Sequence, residues 1–534
     1  MVTSPHGLAS AAGARALRAG ANAVEAAIAT AATIAVVYPH MNSIGGDNVW
    51  LIYDARSRSM RALLAIGTAG EACTIEGYRS AGHIGDIPRR GALAANTVPG
   101  AVDGWCEALR YSREQLDGTQ SLDELLADAI WYARNGFPVT PSQAHWTQRN
   151  VGVAAGRFGR LEVLPGFART FLRPDGSTPA TGERFSLPDL AGTLAAIGRG
   201  GADAFYRGAT AVAIADFLRA NGGLLTAADF AGYRSSWEDP LTMEYRRWAL
   251  YNSPPPTQGL TSLQILNIVQ QFSPAVLQRT PADFYHVMVE ATKAAFVDRD
   301  AWIADPRTHP APLGELLSAR HAARQAAQID LVRAAAPAPS RAAGGDTVWL
   351  GVVDAAGNAV SLIQSIYFDF GAGIVADGTG VLLQNRGSSF VLDAAHPNGI
   401  APGKRPFHTL NPAMALRDGV PELVYGTMGG EGQPQTQAAI ATRVLDFGMD
   451  VQAAIDAPRW LYGRTWGEAT NSLSIESRVE PGVVAELERR GHALEVVGEW
   501  DERVGHAQAI RIDPHTRMRA GGADPRGDGA AIGF

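Results

Sequence analysis

Val332-Arg-Ala-Ala-Ala-Pro-Ala-Pro-Ser-Arg-Ala-Ala-Gly-Gly-Asp346-Thr347-Val-Trp-Leu-Gly-Val-Val-Asp354 is the stretch on which the fold turns. Its first part, residues 332–345, carries two prolines and a glycine pair. It therefore makes a poor helix and a poor strand despite its alanines, and reads as a mobile exposed linker. The period then becomes two. Thr347–Asp354 alternates, Ala-Ala-Gly-Asn358 makes a turn, and Ala359-Val-Ser-Leu-Ile-Gln-Ser-Ile-Tyr-Phe368 alternates again, which is the pattern of a β-hairpin. A pliant arm thus ends abruptly at a threonine that opens a strand. A threonine hydroxyl is a weak nucleophile, and a free α-amine on the same residue can activate it as base. Such an amine titrates at about 7.7–8.0, whereas an amide nitrogen is far too weak a base. An enzyme of that kind must be cut before its threonine, between Asp346 and Thr347. Taken alone, Thr347 reads more readily as a β-branched residue that merely begins a strand.

The rest of the chain frames this hairpin. With 534 residues, 46% hydrophobic and 19% charged, the composition is that of an ordinary globular protein and excludes disorder, collagen and a coiled-coil rod. The net charge of −7 offers no basic face for nucleic acid or an anionic membrane. Cys73 and Cys106 form no disulfide framework, and no histidine cluster has metal-ligand spacing, so no metal is expected. No apolar run reaches the roughly 18 residues of a membrane helix. The opening Met-Val-Thr-Ser-Pro-His lacks a basic n-region and an apolar h-region, so a cytoplasmic protein is expected. Helices are read from Ser10 to Arg18, from an Asn22 cap through Ala23–Val36, over 120–136 and 187–222 with Ser186 as cap, over Leu260–Phe272, and from Pro281 to Ile303. The last carries His286, Glu290 and Lys293 on one side. Val49–Asp54 reads as a strand after a turn at Ser43-Ile-Gly-Gly-Asp47.

From Thr347 onward the sequence resembles the start of the small subunit in the γ-glutamyltranspeptidase family of N-terminal nucleophile hydrolases. Phe370-Gly-Ala-Gly-Ile-Val, Gly380-Val-Leu-Leu-Gln-Asn, Pro402-Gly-Lys-Arg-Pro, Gly426-Thr-Met-Gly-Gly430 and Ala523-Asp-Pro-Arg-Gly-Asp-Gly529 follow in family order. So do Asn22-Ala-Val-Glu-Ala-Ala, Ile44-Gly-Gly, Val98-Pro-Gly and Glu290-Ala-Thr-Lys-Ala-Ala-Phe-Val-Asp-Arg, so the resemblance spans nearly the whole chain. It implies an α+β fold, a four-layer αββα sandwich formed by two chains cut from one precursor at Asp346–Thr347. The large subunit would be residues 1–346, with a mobile arm at about 332–346, and the small subunit 347–534. Thr347 maps onto the nucleophile, Ser365 onto a second hydroxyl that hydrogen-bonds to it, and Gly429-Gly430 onto the backbone donors of an oxyanion hole. Two small residues suit that task because they permit close backbone approach. His408-Thr409 matches two hydroxyl residues that contact the substrate carboxylate; Thr409 keeps that chemistry and His408 does not. Lys404-Arg405 reads either as part of this motif or as a solvated charge pair. Nucleophile, base and oxyanion donors all come from the polypeptide, so no organic cofactor is expected. The partners implied are a small-molecule substrate and the companion subunit, with a higher oligomer open.

The sequence also departs from the family. A γ-glutamyl donor carries an α-ammonium and an α-carboxylate. The acid that meets the ammonium falls at Ser389 in Gln384-Asn-Arg-Gly-Ser-Ser389, and Arg386 stands three residues before it. The arginine that clamps the α-carboxylate belongs near Ala65–Gly70, where this chain has none, and Tyr367 stands where many members have asparagine. A pocket that loses an anion and gains a cation does not suit a zwitterion. Arg386 can hold a carboxylate through two parallel hydrogen bonds. The pattern is similar to an amidohydrolase branch that cleaves oxamate-like, amine-free carboxylate amides. Three other readings stand: a γ-glutamyltransferase or glutathione hydrolase, a glutaryl-type acylase, and an uncleaved binding protein. Arg386 could also be a structural residue paired with Asp369.

Overall fold

A computed structural model describes residues 1–152, 159–336, 345–464 and 470–534. Two antiparallel sheets dominate it. The first runs, edge to edge, Ala530–Ile532, Val2–Ser4, Asp346–Val353, Ala359–Tyr367, Asp47–Asp54, Ser59–Ala65 and Ser236–Glu238. The second runs Arg519–Ala523, Ala507–Ile512, Val420–Thr427, Ala413–Arg417, Trp248–Asn252 and Leu241–Tyr245. Each sheet mixes strands from before and after Thr347.

The alternation read from the sequence decides what each face meets. Trp349, Val353, Ile363, Val49 and Leu51 point from the first sheet to Met414, Leu416, Val424 and Ile510 of the second, forming the middle core. The residues between them, Val348, Leu350, Val352, Leu362, Trp50 and Ile52, point the other way onto a layer of helices that includes Ala23–Val37, Ala101–Gln115 and Leu122–Asn135. The outer face of the second sheet, with Leu250, Ala415 and Leu423, is covered by Gly259–Val269, Pro281–Trp302 and Gly432–Ala441. This is the αββα sandwich. The sheets approach closely at Gly426, where a Cβ would sit 2.1 Å from Trp349 Cδ1.

Asn22 caps its helix as read, in a capping box with Glu25. That helix is buried on every side, as its Ala-rich composition requires. Ser186 is not a cap. The helix Pro188–Tyr206 starts after Leu187, whose N–H bonds Ala133 O, and it has no side-chain cap. The hairpin is Asp346–Val353 and Ala359–Tyr367, and its turn is tied by Asp354, which accepts from Asn358 and from Ala23 N at the start of the buried helix. The expected mobile arm lies largely outside the described residues, at 337–344. Its described beginning is exposed at Val332 but held at Ala334, whose N–H bonds Arg490 O, and at Ala335, which is bonded through both backbone groups. Lys404 and Arg405 are not a solvated pair. Both are buried, with Lys404 Nζ donating to Pro397 O and Gly399 O and Arg405 to Ser236 Oγ. Among the described residues, no helix is long and apolar enough to cross a membrane.

Candidate functional site

Thr347 shares the parity of Trp349, so its side chain enters the space between the sheets at the start of its strand. The register of the hairpin breaks opposite it. Gln364 pairs with Val348 and Tyr367 with Asp346, leaving Ser365 and Ile366 across from Thr347 alone. Such a bulge re-aims side chains. Here it brings Ser365 Oγ to accept from Thr347 Oγ1 at 3.2 Å, while Tyr367 N–H donates to the same oxygen at 2.8 Å. Tyr367 takes a left-handed φ of 80°, strained for a residue with a Cβ. On the next strand Asp47 pairs directly with Ser365. The strands meet there because Gly46 has no side chain: a Cβ would lie 2.2 Å from Ser365 O.

A continuous run of contacts leads from Thr347 to the glycine pair. The Arg386 guanidinium lies 3.8 Å above the Tyr367 ring, and its Nη1 donates to Thr409 Oγ1 at 3.2 Å. Gln258 Nε2 donates to both Thr409 O, at 3.0 Å, and Gly430 O, at 2.8 Å. Gly429 and Gly430 adopt φ of 120° and 52°, which glycine alone takes freely, in the turn that ends the strand Val420–Thr427. The helix Gly432–Ala441 starts directly after it, so its dipole favours negative charge at this turn. Glu431 is locked to Arg299 at 3.1 Å and accepts from Arg464 N.

Arg386 is wholly buried, and its Nε and Nη2 have no hydrogen-bond partner among the described residues. Desolvation pulls its guanidinium down to about 10, against the opposing influence of Tyr367 and Asp47. It does not pair with Asp369, which is held by Arg90 at 3.0 Å. Ser389 stands at the margin, donating to Phe407 O on the wall of a cleft of about 420 Å³ that Arg299 and Arg464 also line.

His408 meets the protein through both ring nitrogens. Its Nε2 lies 3.2 Å from Asp47 Oδ2, and Leu410 N–H points at its Nδ1 at 3.4 Å. An acceptor role for Nδ1 makes Nε2 the protonated nitrogen, donating to Asp47. Both ring nitrogens are thereby engaged within the protein. Burial drives His408 well below its ordinary value, so the imidazole is neutral.

Asp47 was legible in the sequence only as the end of a turn. It is fully buried, and its Oδ1 accepts from Gly67 N, Gly100 N and Gln384 Nε2 at 2.9–3.0 Å. Desolvation nevertheless pushes its carboxyl up to about 7. Gln258, just ahead of the helix Gly259–Val269, is the second residue that sequence reasoning missed. Neither had a local signal, because each acts on partners far away in the chain.

His286, Glu290 and His492 bring three metal-ligating atoms within 4.8 Å of one another. Their hydrogen bonds give them another task. Lys293 Nζ bridges Glu290 and Ala335 O, Glu290 Oε2 accepts Ala335 N–H, and His286 lies between His492 and Asp330 O. The cluster grips residues 330–335, just ahead of the segment that leads to Thr347.

The family model described as gamma-glutamyltranspeptidase matches residues 9–534. The oxamate amidohydrolase proenzyme of Klebsiella pneumoniae is 46% identical over 534 residues, covering 100% of this chain and 98% of the relative. The glutathione hydrolase-like YwrD proenzyme of Bacillus subtilis is 45% identical with the same coverage. Among solved structures, a cephalosporin acylase from Bacillus halodurans superposes with a TM-score of 0.89 at 36% identity, covering 99% of this chain and 94% of its own.

Proposed function

The chain belongs to the gamma-glutamyltranspeptidase family, and within it we propose an autoprocessing amidohydrolase that cleaves the amide of a small, amine-free carboxylate such as oxamate. The observation that carries this reading is the edge of Arg386 formed by Nε and Nη2. Those two N–H groups point in parallel, the geometry a carboxylate accepts bidentately, and they are buried and, among the described residues, without a hydrogen-bond partner. Neither Ser389 nor Asp47 is free to meet an α-ammonium. Ser389 supplies only a hydroxyl, already donated to Phe407 O, and Asp47 is surrounded by four donors.

The chemistry follows from the arrangement. In the precursor, Thr347 Oγ attacks the Asp346 carbonyl, the acyl group passes from nitrogen to oxygen, and water opens the ester. Residues 1–346 and 347–534 become the two subunits, and Thr347 gains a free α-amine. That amine takes the hydroxyl proton as Thr347 Oγ attacks the substrate amide, and Ser365 Oγ holds the nucleophile in line. The Gly429 and Gly430 N–H groups stabilise the tetrahedral oxyanion, an interaction of about 3–4 kcal/mol for one donor. Ammonia leaves with the proton held by the amine. Water then opens the acyl-enzyme, so that oxamate and water give oxalate and ammonium.

Denaturing electrophoresis and two assays test the reading. The active preparation must run as two chains, release ammonia from oxamate and release little glutamate from glutathione. Glutamate release without ammonia would make the enzyme a glutathione hydrolase. A single active chain would remove Thr347 as nucleophile.

A further inference from the structure

Asp47 has no part in the steps above, yet its two oxygens meet four hydrogen-bond donors beside Ser365. It sits beside Ser365 on the inner face of the sheet, and the elements around it converge on its two oxygens: the loop at Gly67, the helix start at Gly100, Gln384 and His408. Arg386 is wholly buried and has no ion pair within 4.0 Å among the described residues. Its Nη1 bonds Thr409, the neighbour of His408, and His408 Nε2 meets Asp47 Oδ2, so Asp47 is the carboxylate on the same run of contacts. We infer that Asp47 is the buried counter-charge of the acyl pocket, a positioning residue that moderates how strongly Arg386 draws a carboxylate and holds His408 as a neutral Nε2–H donor.

The inference rests on the proposal that Arg386 receives the substrate carboxylate, and adds what sets the strength of that interaction. An anion fixed near a buried cation lowers the potential at the free edge of that cation. A substrate carboxylate must compete with it, and its product must still leave. Other charged or titratable groups face Asp47 from His408, Arg386 and Tyr233. His408 is held neutral, Arg386 remains a cation until about 10, and burial raises the Tyr233 hydroxyl so that it stays protonated. Asp47 is therefore the group among them that changes charge near neutrality, at about 7.

The test uses the matured enzyme and oxalate as the probe, with affinity measured by calorimetry. Asp47→Asn keeps an acceptor for Gly67, Gly100 and Gln384 and removes the charge. At about pH 8.5 the variant should bind oxalate roughly tenfold more tightly than the parent, and the two should converge at about pH 5.5, where the parent carboxyl is protonated. The Thr347 α-amine titrates in the same region in both proteins, so the ratio of the two affinities is the readout. General damage to the pocket would weaken binding at every pH. Equal affinities at high pH, weaker binding by the variant, or a ratio that ignores pH would each overturn the inference. If Asp47→Asn does not mature, Asp47→Ser removes the same charge and decides by the same criteria. Failure of the parent enzyme to bind oxalate at either pH would instead remove the carboxylate reading, and this inference with it.

Discussion

Arg386→Met separates a substrate-binding arginine from a structural one, because the two roles predict opposite effects on stability. The structure supplies the terms. The substitution removes one charged hydrogen bond, to Thr409 Oγ1 at 3.2 Å, about 1.5–3 kcal/mol. It also removes the stack on Tyr367 at 3.8 Å, about 1–2 kcal/mol when desolvated. Against these stands the relief of two buried donors, Nε and Nη2, that have no hydrogen-bond partner among the described residues, about 1–3 kcal/mol each. The sum is centred near zero and lies within about 3 kcal/mol of it, and the methionine fills much of the same volume. Folding should therefore be little changed, with the thermal transition moving by no more than about 2–4 °C. Binding should change greatly. A carboxylate that loses its buried bidentate partner forfeits about 3–5 kcal/mol, so KM for oxamate should rise about 10²–10³-fold. The assay is ammonia release across a wide oxamate range, with the melting curve recorded on the same preparation. A variant that melts many degrees lower yet keeps the parental KM would show that Arg386 holds the fold and does not hold the substrate.

Thr347→Ala should give a single uncut chain without amidase activity on denaturing gels, whereas Thr347→Ser should still process. Ser365→Ala removes the oxygen that accepts from Thr347 and Tyr367 N–H, and should slow both self-cleavage and turnover by about tenfold, the value of one such hydrogen bond. Gly426→Ala places a Cβ about 2.1 Å from Trp349 Cδ1 between the sheets; a loss of about 1–3 kcal/mol or more should appear as a lower denaturant midpoint. Lys293→Met leaves Glu290 buried without its cation and should cost about 3–5 kcal/mol, most of it recovered when Glu290→Met is added. Equal stability of the single and double variants would show that the pair contributes nothing to the grip on residues 330–335.

Much of this molecule is written in local pattern. Apolar alternation after Thr347 defines the hairpin, because a strand has a period of two and each of its faces meets a different core. Asn22 with Glu25 starts the buried helix, since a side chain three residues from the cap is within reach whatever surrounds it. Ser389 where the family resemblance places an acid, and Arg386 three residues before it, are legible without coordinates. What composition does not encode is which polar groups meet. Asp47 and His408 are 361 positions apart, Gln258 reaches Gly430 across 172, and neither pair leaves a periodic trace. His408 meets Asp47, and Lys404 and Arg405 turn inward, because the closing of two sheets and two helix layers buries them and buried polar atoms must find partners. The chain thus carried Thr347, its hairpin and Arg386 as sequence, while the meeting of Asp47 with His408 and of Gln258 with Gly430 arose only when distant segments were desolvated together.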